Sequence, residues 1–204
     1  MKPIVVCFFA SLFIFSARAD DHASLFQMEV ASGLELSEHI GIIDDEDQWK
    51  GLAEKLDRTD AGFAGTLAKP DGGEIKIEAA HKKSGKKWDC SVKWESGSDN
   101  PSSFVIITYT IPLDQARDVE LTSGKGVISF TKLIEQIPTL NSMPNVSEFT
   151  LGPISGSTLQ FSMSAPSSVE VILGPDAVII RLFMTPTKEP LPTSGSVQWT
   201  VEKQ

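Results

Sequence analysis

The residues able to do chemistry are few and widely spaced. Nitrogen and sulfur donors are limited to His22, His39, His81, Cys7 and Cys90. No histidine lies four residues from another or beside a cysteine cluster, whereas zinc and copper sites draw on several such donors. No metal site and no cofactor is therefore expected. The run Asp44-Asp45-Glu46-Asp47 offers oxygen ligands, but it lacks the alternating spacing, the glycine and the distal glutamate of a calcium loop. It reads as a solvated acidic run that complements the positive end of a following helix.

Nucleophilic and acid–base arrangements are equally sparse. A catalytic thiol needs a base beside it, and His81 is the one nearby candidate for Cys90. Nothing else in the sequence supports that pairing. A Ser-His-Asp triad is not restricted by spacing, but the Gly-x-Ser-x-Gly elbow is absent. Asp89 or Glu95 would contribute to a carboxylate pair for glycoside cleavage if it faced a cleft. Both fall on the polar side of an alternating segment, where solvated charge is the default. No catalytic residue is assigned. Phosphate-cradling glycine loops are also absent. Lys82-Lys83 and Lys86-Lys87 form the one basic cluster, read as a solvated hairpin tip, with a local anionic contact as the alternative.

Aromatic side chains are the remaining candidates. Sugar-binding sandwiches stack flat pyranose faces on exposed rings. Trp88, Trp94 and Trp199 are the candidate ligand-binding residues on that basis. The competing reading is core packing, because Trp88 and Trp94 share their strand face with Cys90 and Val92. Asn145-Val146-Ser147 fits a glycosylation sequon, a tripeptide that also occurs by chance.

The elements that must position these residues are mostly strands. Trp88, Cys90, Val92 and Trp94 alternate with Asp89, Ser91, Lys93 and Glu95, the period of a half-buried strand. Short β-branched or alternating segments follow at 104–111, 118–121, 126–130, 149–151, 158–164, 168–173, 177–184 and 196–202. Gly/Pro turns such as Gly152-Pro153, Ala165-Pro166 and Gly174-Pro175 separate many of them. This is the pattern of an all-β sandwich or barrel. Residues 81–87 read as a polar turn. Upstream, Trp49, Leu52, Ala53 and Leu56 recur at helical spacing behind a capping Asp47, which predicts a short helix over about 48–57.

Residues 1–19 carry the marks of a secretory signal peptide. Lys2 is the positive start, Ile4 to Phe15 the apolar run, and Ala17-Arg18-Ala19 the small-x-small cleavage site. The run is too short for a bilayer core of ~30 Å, and no later stretch is long enough to span after cleavage. Cys7 lies too early in the run to be a lipidation site. Cleavage removes Lys2 and Arg18 and no acid, so the net charge of −9 becomes −11. Nucleic acid, whose phosphates need Lys/Arg neutralisation, is disfavoured as a partner. About 185 mature residues suffice to bury a core without staples. Cys90 is then alone, so it is a free thiol, an intermolecular link or a buried side chain. Its alternating segment favours burial.

The stretch from about 65 to 202 resembles the β-sandwich modules found ahead of the catalytic part of secreted bacterial glycoside hydrolases. The residues that carry this are Phe104-Val105-Ile106-Ile107-Thr108-Tyr109-Thr110-Ile111-Pro112, Ser168-Val169-Glu170-Val171-Ile172-Leu173-Gly174-Pro175 and Ile180-Arg181-Leu182-Phe183. The resemblance implies an accessory, carbohydrate-facing role, although no catalytic domain follows Gln204 in this sequence.

The expected protein is thus mostly β, a two-sheet antiparallel sandwich with a short N-terminal helix-containing segment. Its expected organisation is signal peptide 1–19, N-terminal segment 20–64 and sandwich 65–204. The expected function is that of an exported, secreted or periplasmic, non-catalytic binding or accessory module, facing carbohydrate. The alternative is a structural or assembly protein of the cell surface or periplasm that binds another protein.

Overall fold

The alternation over residues 88–95 appears in the fold as read: Trp88, Cys90, Val92 and Trp94 are buried, while Asp89, Lys93 and Glu95 are exposed. The computed structural model describes residues 26–31, 34–44, 49–51, 56–59, 62–69, 73–100, 103–185 and 190–204. The signal-like segment 1–19 and residues 45–47 of the acidic run lie outside the described residues.

Strands dominate. The first seven are β1 (Phe26–Ala31), β2 (Leu34–Asp44), β3 (Trp49–Gly51), β4 (Leu56–Thr59), β5 (Gly62–Ala68), β6 (Glu74–Ser84) and β7 (Lys87–Ser96). The rest are β8 (Ser103–Pro112), β9 (Glu120–Ser123), β10 (Gly126–Ser129), β11 (Ser142–Ile154), β12 (Ser157–Leu173), β13 (Ala177–Phe183) and β14 (Ser194–Lys203). Two short helices, α1 (Leu113–Ala116) and α2 (Phe130–Ile134), follow β8 and β10. Among the described residues no helix is long and apolar enough to cross a membrane.

Two local expectations are corrected. The helix expected at about 48–57 is not formed where the chain is described, since Trp49–Gly51 and Leu56–Thr59 are strands. Pairing of β3 with β2 and of β4 with β5 satisfies their backbone groups laterally, and tertiary pairing overrides a weak helical periodicity. The polar turn expected at 81–87 narrows to Gly85-Lys86, where Gly85 has φ 61. His81 to Ser84 continue β6 instead, because cross-strand pairing with Cys90 to Lys87 extends the ladder.

The strands form one continuous antiparallel sheet in the order β1-β2-β8-β13-β12-β14-β7-β6-β5-β4, with β9, β10 and β11 joined through β12 and β3 through β2. This sheet curls until β2 faces β6 across the core. Glu38 of β2 touches His81 of β6, although five strands separate β2 from β6 along the hydrogen-bonded path. The strand β12 makes the turn possible. Its first half pairs with β14 through Leu159–Met163, and its second half pairs with β13 through Ser168–Leu173. The exposed Ala165-Pro166 lies between the two halves. Proline cannot donate to a ladder, so it is tolerated where the strand changes partner, and such changes make the corners of sandwiches.

The N-terminal strands belong to this sheet. β2 is hydrogen-bonded to β1 on one edge and β8 on the other, and β5 crosses positions 64 and 65. The core gathers Leu36, Ile40 and Ile42 with Val105, Ile107 and Ile111 and with Val92, Val197 and Val201. Phe149 and Phe161 stack at 4.5 Å, and Tyr109 meets Phe161 edge-on.

One end of the sandwich is tied by polar contacts between loops. The Trp94 Nε1–H donates to the Pro192 carbonyl, and the Asn100 amide donates to the Leu191 and Pro192 carbonyls. The Lys69 ammonium donates to Ser98 Oγ and to the Asp99 carbonyl. Opposite Trp94 in register stands Gly195. A Cβ there would lie 2.2 Å from Trp94 Cζ2, so this position must lack a side chain for the indole to lie flat. Gly195→Ala is expected to lower stability by about 1–3 kcal/mol through overpacking. Urea denaturation measures it, and an unchanged midpoint would show that the indole is free to move aside.

Candidate functional site

Five polar or reactive side chains occupy inward positions in five strands. On β2, Glu38 falls in phase with Leu36 and Ile40; on β6, His81 continues the inward row Ile75, Ile77 and Ala79. On β7, Cys90 stands between Trp88 and Val92; on β8, Tyr109 stands between Ile107 and Ile111; on β14, Trp199 stands between Val197 and Val201. Period-2 geometry therefore sends all five into the core. Register then brings them level. Glu38 is the cross-strand partner of Tyr109, His81 is that of Cys90, and Cys90 is that of Trp199.

The curl of the sheet closes these pairs on each other. Tyr109 O–H donates to Glu38 Oε2 at 2.7 Å, and Trp199 Nε1–H donates to the Tyr109 oxygen at 2.7 Å. His81 Nε2 lies 2.6 Å from Glu38 Oε1, with both side chains fully removed from solvent. An ionised carboxylate only accepts, so Nε2 is the donor, and the short distances suit a charged acceptor. The imidazole also meets the Trp199 ring edge-on at 6.1 Å. Donor atoms of Glu38, His81 and Cys90 all lie within 4.8 Å of one another.

Burial sets the protonation behaviour of the two weak acids. Removal from water pushes the Cys90 thiol far above its ordinary value of 9.0, and the Glu38 and Asp89 charges add to the effect. The single tyrosine of the chain, Tyr109, is likewise held well above 10.0 by burial first, then by the Glu38 charge. With no metal bound, Cys90 is therefore a protonated thiol at neutral pH rather than a nucleophile. Glu38 and His81 are residue types of an acid–base pair, but a base must reach the proton it abstracts, and neither side chain touches solvent.

The sequence candidates fall as follows. Trp88, Trp94 and Trp199 are 3 %, 6 % and 1 % exposed, so their rings pack in the core and leave no face for a sugar to stack on. The free cysteine Cys90 is buried. Asp89 and Glu95 both face outward on β7. Six residues of extended strand separate them by about 20 Å, too far for a glycosidase pair, which needs about 5–9.5 Å. Asp89 instead pairs with Lys87 at 3.1 Å. The lysine cluster surrounds the exposed tip of the β6–β7 hairpin, where Lys83 Nζ lies 5.1 Å from the centre of the Trp88 ring. Sequence reasoning missed Glu38 and placed His81 in a turn. The signal was present in both cases: each sits two residues from a core aliphatic on the same side.

No family model matches the chain, and no curated protein does. Among solved structures, a provisionally assigned aldose 1-epimerase from Escherichia coli K12 is similar, with a TM-score of 0.51 and 8 % identity over 74 % of this chain and 68 % of that one. A 4-alpha-glucanotransferase from Thermococcus litoralis gives a TM-score of 0.44 and 9 % identity, covering 83 % of this chain and 27 % of that one. At 8 % identity the likeness to the first of these is one of fold alone, a β-rich architecture.

The raised thiol and phenol values have a pH signature. The unfolded chain releases the Cys90 proton near 9.0 and the Tyr109 proton near 10.0, while the native state retains both. The native state then binds more protons, so stability is full below pH 9 and falls as pH rises, by about 1.4 kcal/mol per pH unit for each group. Between pH 9 and 10, with chelator present to keep the protein metal-free, Cys90→Ala is expected to fall less steeply than the parent. Urea midpoints across that range measure it, and parallel slopes would show that the thiol ionises equally in both states.

Proposed function

We propose that the protein is an exported, non-catalytic β-sandwich module that binds carbohydrate. What supports the sugar-facing part is the fold it shares, over 74 % of its length, with a structure named as an aldose 1-epimerase. What supports export is the leader pattern of Lys2, the Ile4–Phe15 run and Ala17-Arg18-Ala19.

With the three indoles in the core, recognition passes to the outward face of β6, β7 and β14. Cross-strand rows there read Lys76–Glu95–Ser194, Glu78–Lys93–Ser196 and Lys82–Asp89–Thr200, with Gln198 opposite Ser91. Sugar hydroxyls both donate and accept, and this grid offers carboxylates, ammonium groups, hydroxyls and an amide in fixed positions. Hydrogen bonding from such a surface, without ring stacking, gives weak and polar recognition.

A glycan array probed with purified protein at high concentration tests the reading. Binding to at least one glycan is expected, together with its loss in the double variant Lys93→Ala/Gln198→Ala at unchanged thermal stability. Silence across the array would remove carbohydrate as the ligand, and undiminished binding by the variant would move the site to another face. Export has its own measurement: when the chain is expressed with residues 1–19 in a secreting bacterium, the intact mass of the exported form should begin at Asp20. Retention in the cytoplasm at full mass would sink that part.

A further inference from the structure

Glu38, His81 and Cys90 come from three strands that the sequence does not link by any motif, yet their donor atoms converge within 4.8 Å in the middle of the core. We propose that this cluster is a metal site, which takes one divalent transition-metal ion of borderline softness, Zn²⁺ foremost, between the Glu38 carboxylate, the His81 imidazole and the Cys90 sulfur. Such a site needs no carbohydrate ligand.

Donor chemistry comes first. One oxygen, one nitrogen and one sulfur ligand form a mixed set that suits Zn²⁺, which has no geometric preference of its own. Around a tetrahedral zinc with bonds of about 2.0–2.3 Å, ligand atoms stand roughly 3.3–3.6 Å apart. The 2.6 Å between His81 Nε2 and Glu38 Oε1 must widen, and the longest separation in the cluster must contract.

Charge comes second. A carboxylate in a dry core is costly unless paired. A dication held by one carboxylate and one thiolate leaves the site without net charge, which a dry core favours. The exchange balances simply. The Cys90 S–H bond breaks and an S–metal bond forms, with the proton passing to solvent. The imidazole presents Nε2 to the ion and carries its proton on Nδ1. Starting from the neutral imidazole, one proton is released per ion bound, and nothing is oxidised or reduced.

The surroundings are those of a held ligand set. Tyr109 O–H fixes Glu38 Oε2, and Trp199 N–H fixes the Tyr109 oxygen, so Oε1 is the oxygen turned toward the imidazole. Outer-shell hydrogen bonds of this kind orient metal ligands, and their removal costs about 10- to 100-fold in affinity. His81 and Cys90 are direct cross-strand partners, so two of the three ligands ride on one rigid ladder.

The experiment uses the whole protein with metal alone and no sugar. Zinc content is measured in protein as purified from zinc-supplemented medium and in protein refolded with Zn²⁺. Cobalt is then substituted to report the thiolate through its charge-transfer band. One ion per chain, one proton released per ion and a thiolate-to-cobalt band are expected. The band should vanish in Cys90→Ser, and Tyr109→Phe should keep it while weakening binding about 10- to 100-fold. Folded parent protein that carries no zinc from either preparation overturns the proposal and leaves a hydrogen-bonded core network. Metal binding without the band, or undiminished in Cys90→Ser, overturns it as well. The parent measurements need no variant, so they decide the matter even if a substitution prevents folding.

Discussion

A carboxylate buried between two faces of a sheet governs this structure. Glu38 has no contact with water, and its oxygens are satisfied by Tyr109 from the adjacent strand and His81 from the opposite wall. Removing one partner of such a buried pair is costly, typically about 3–5 kcal/mol. Two walls that are distant along the sheet are thus held in one relative position. Aliphatic contacts alone tolerate sliding, because they have no direction, whereas short hydrogen bonds do not. A one-residue slip of β2 would turn Glu38 outward and forfeit the network.

The rest of the architecture serves that closure. The strand β12 carries the sheet around the corner by pairing with β14 before Pro166 and with β13 after it. At one end, Asn100, Trp94 and Lys69 anchor the loops to backbone carbonyls and a serine hydroxyl. Gly195 leaves room for the Trp94 ring. These contacts lie far from Glu38 in sequence and hold the loops at that end in place.

Polar chemistry divides between inside and outside. The reactive side chains are interior, and solvent does not reach Glu38 or His81. The exterior of β6, β7 and β14 is a regular array of polar side chains. The same β7 supplies both, Cys90 inward and Lys93 outward, by simple alternation.

Much of this was legible from the chain. Period-2 runs and Gly/Pro turns specified an antiparallel β protein, and the face shared by Trp88, Cys90, Val92 and Trp94 was already readable as core. The inward phase of Glu38 and His81 was legible too, but charge and nearby lysines argued for turns and solvent, because isolated polar residues are exposed far more often than buried. The helical spacing of Trp49, Leu52, Ala53 and Leu56 misled, since local periodicity carries no information about which strand lies alongside. Sequence by itself determined which residues share a face, because alternation is a property of one strand. Only the tertiary structure decided which faces meet, because register and curl are set by contacts between strands far apart in the chain, and the meeting of Glu38, His81 and Cys90 exists only there.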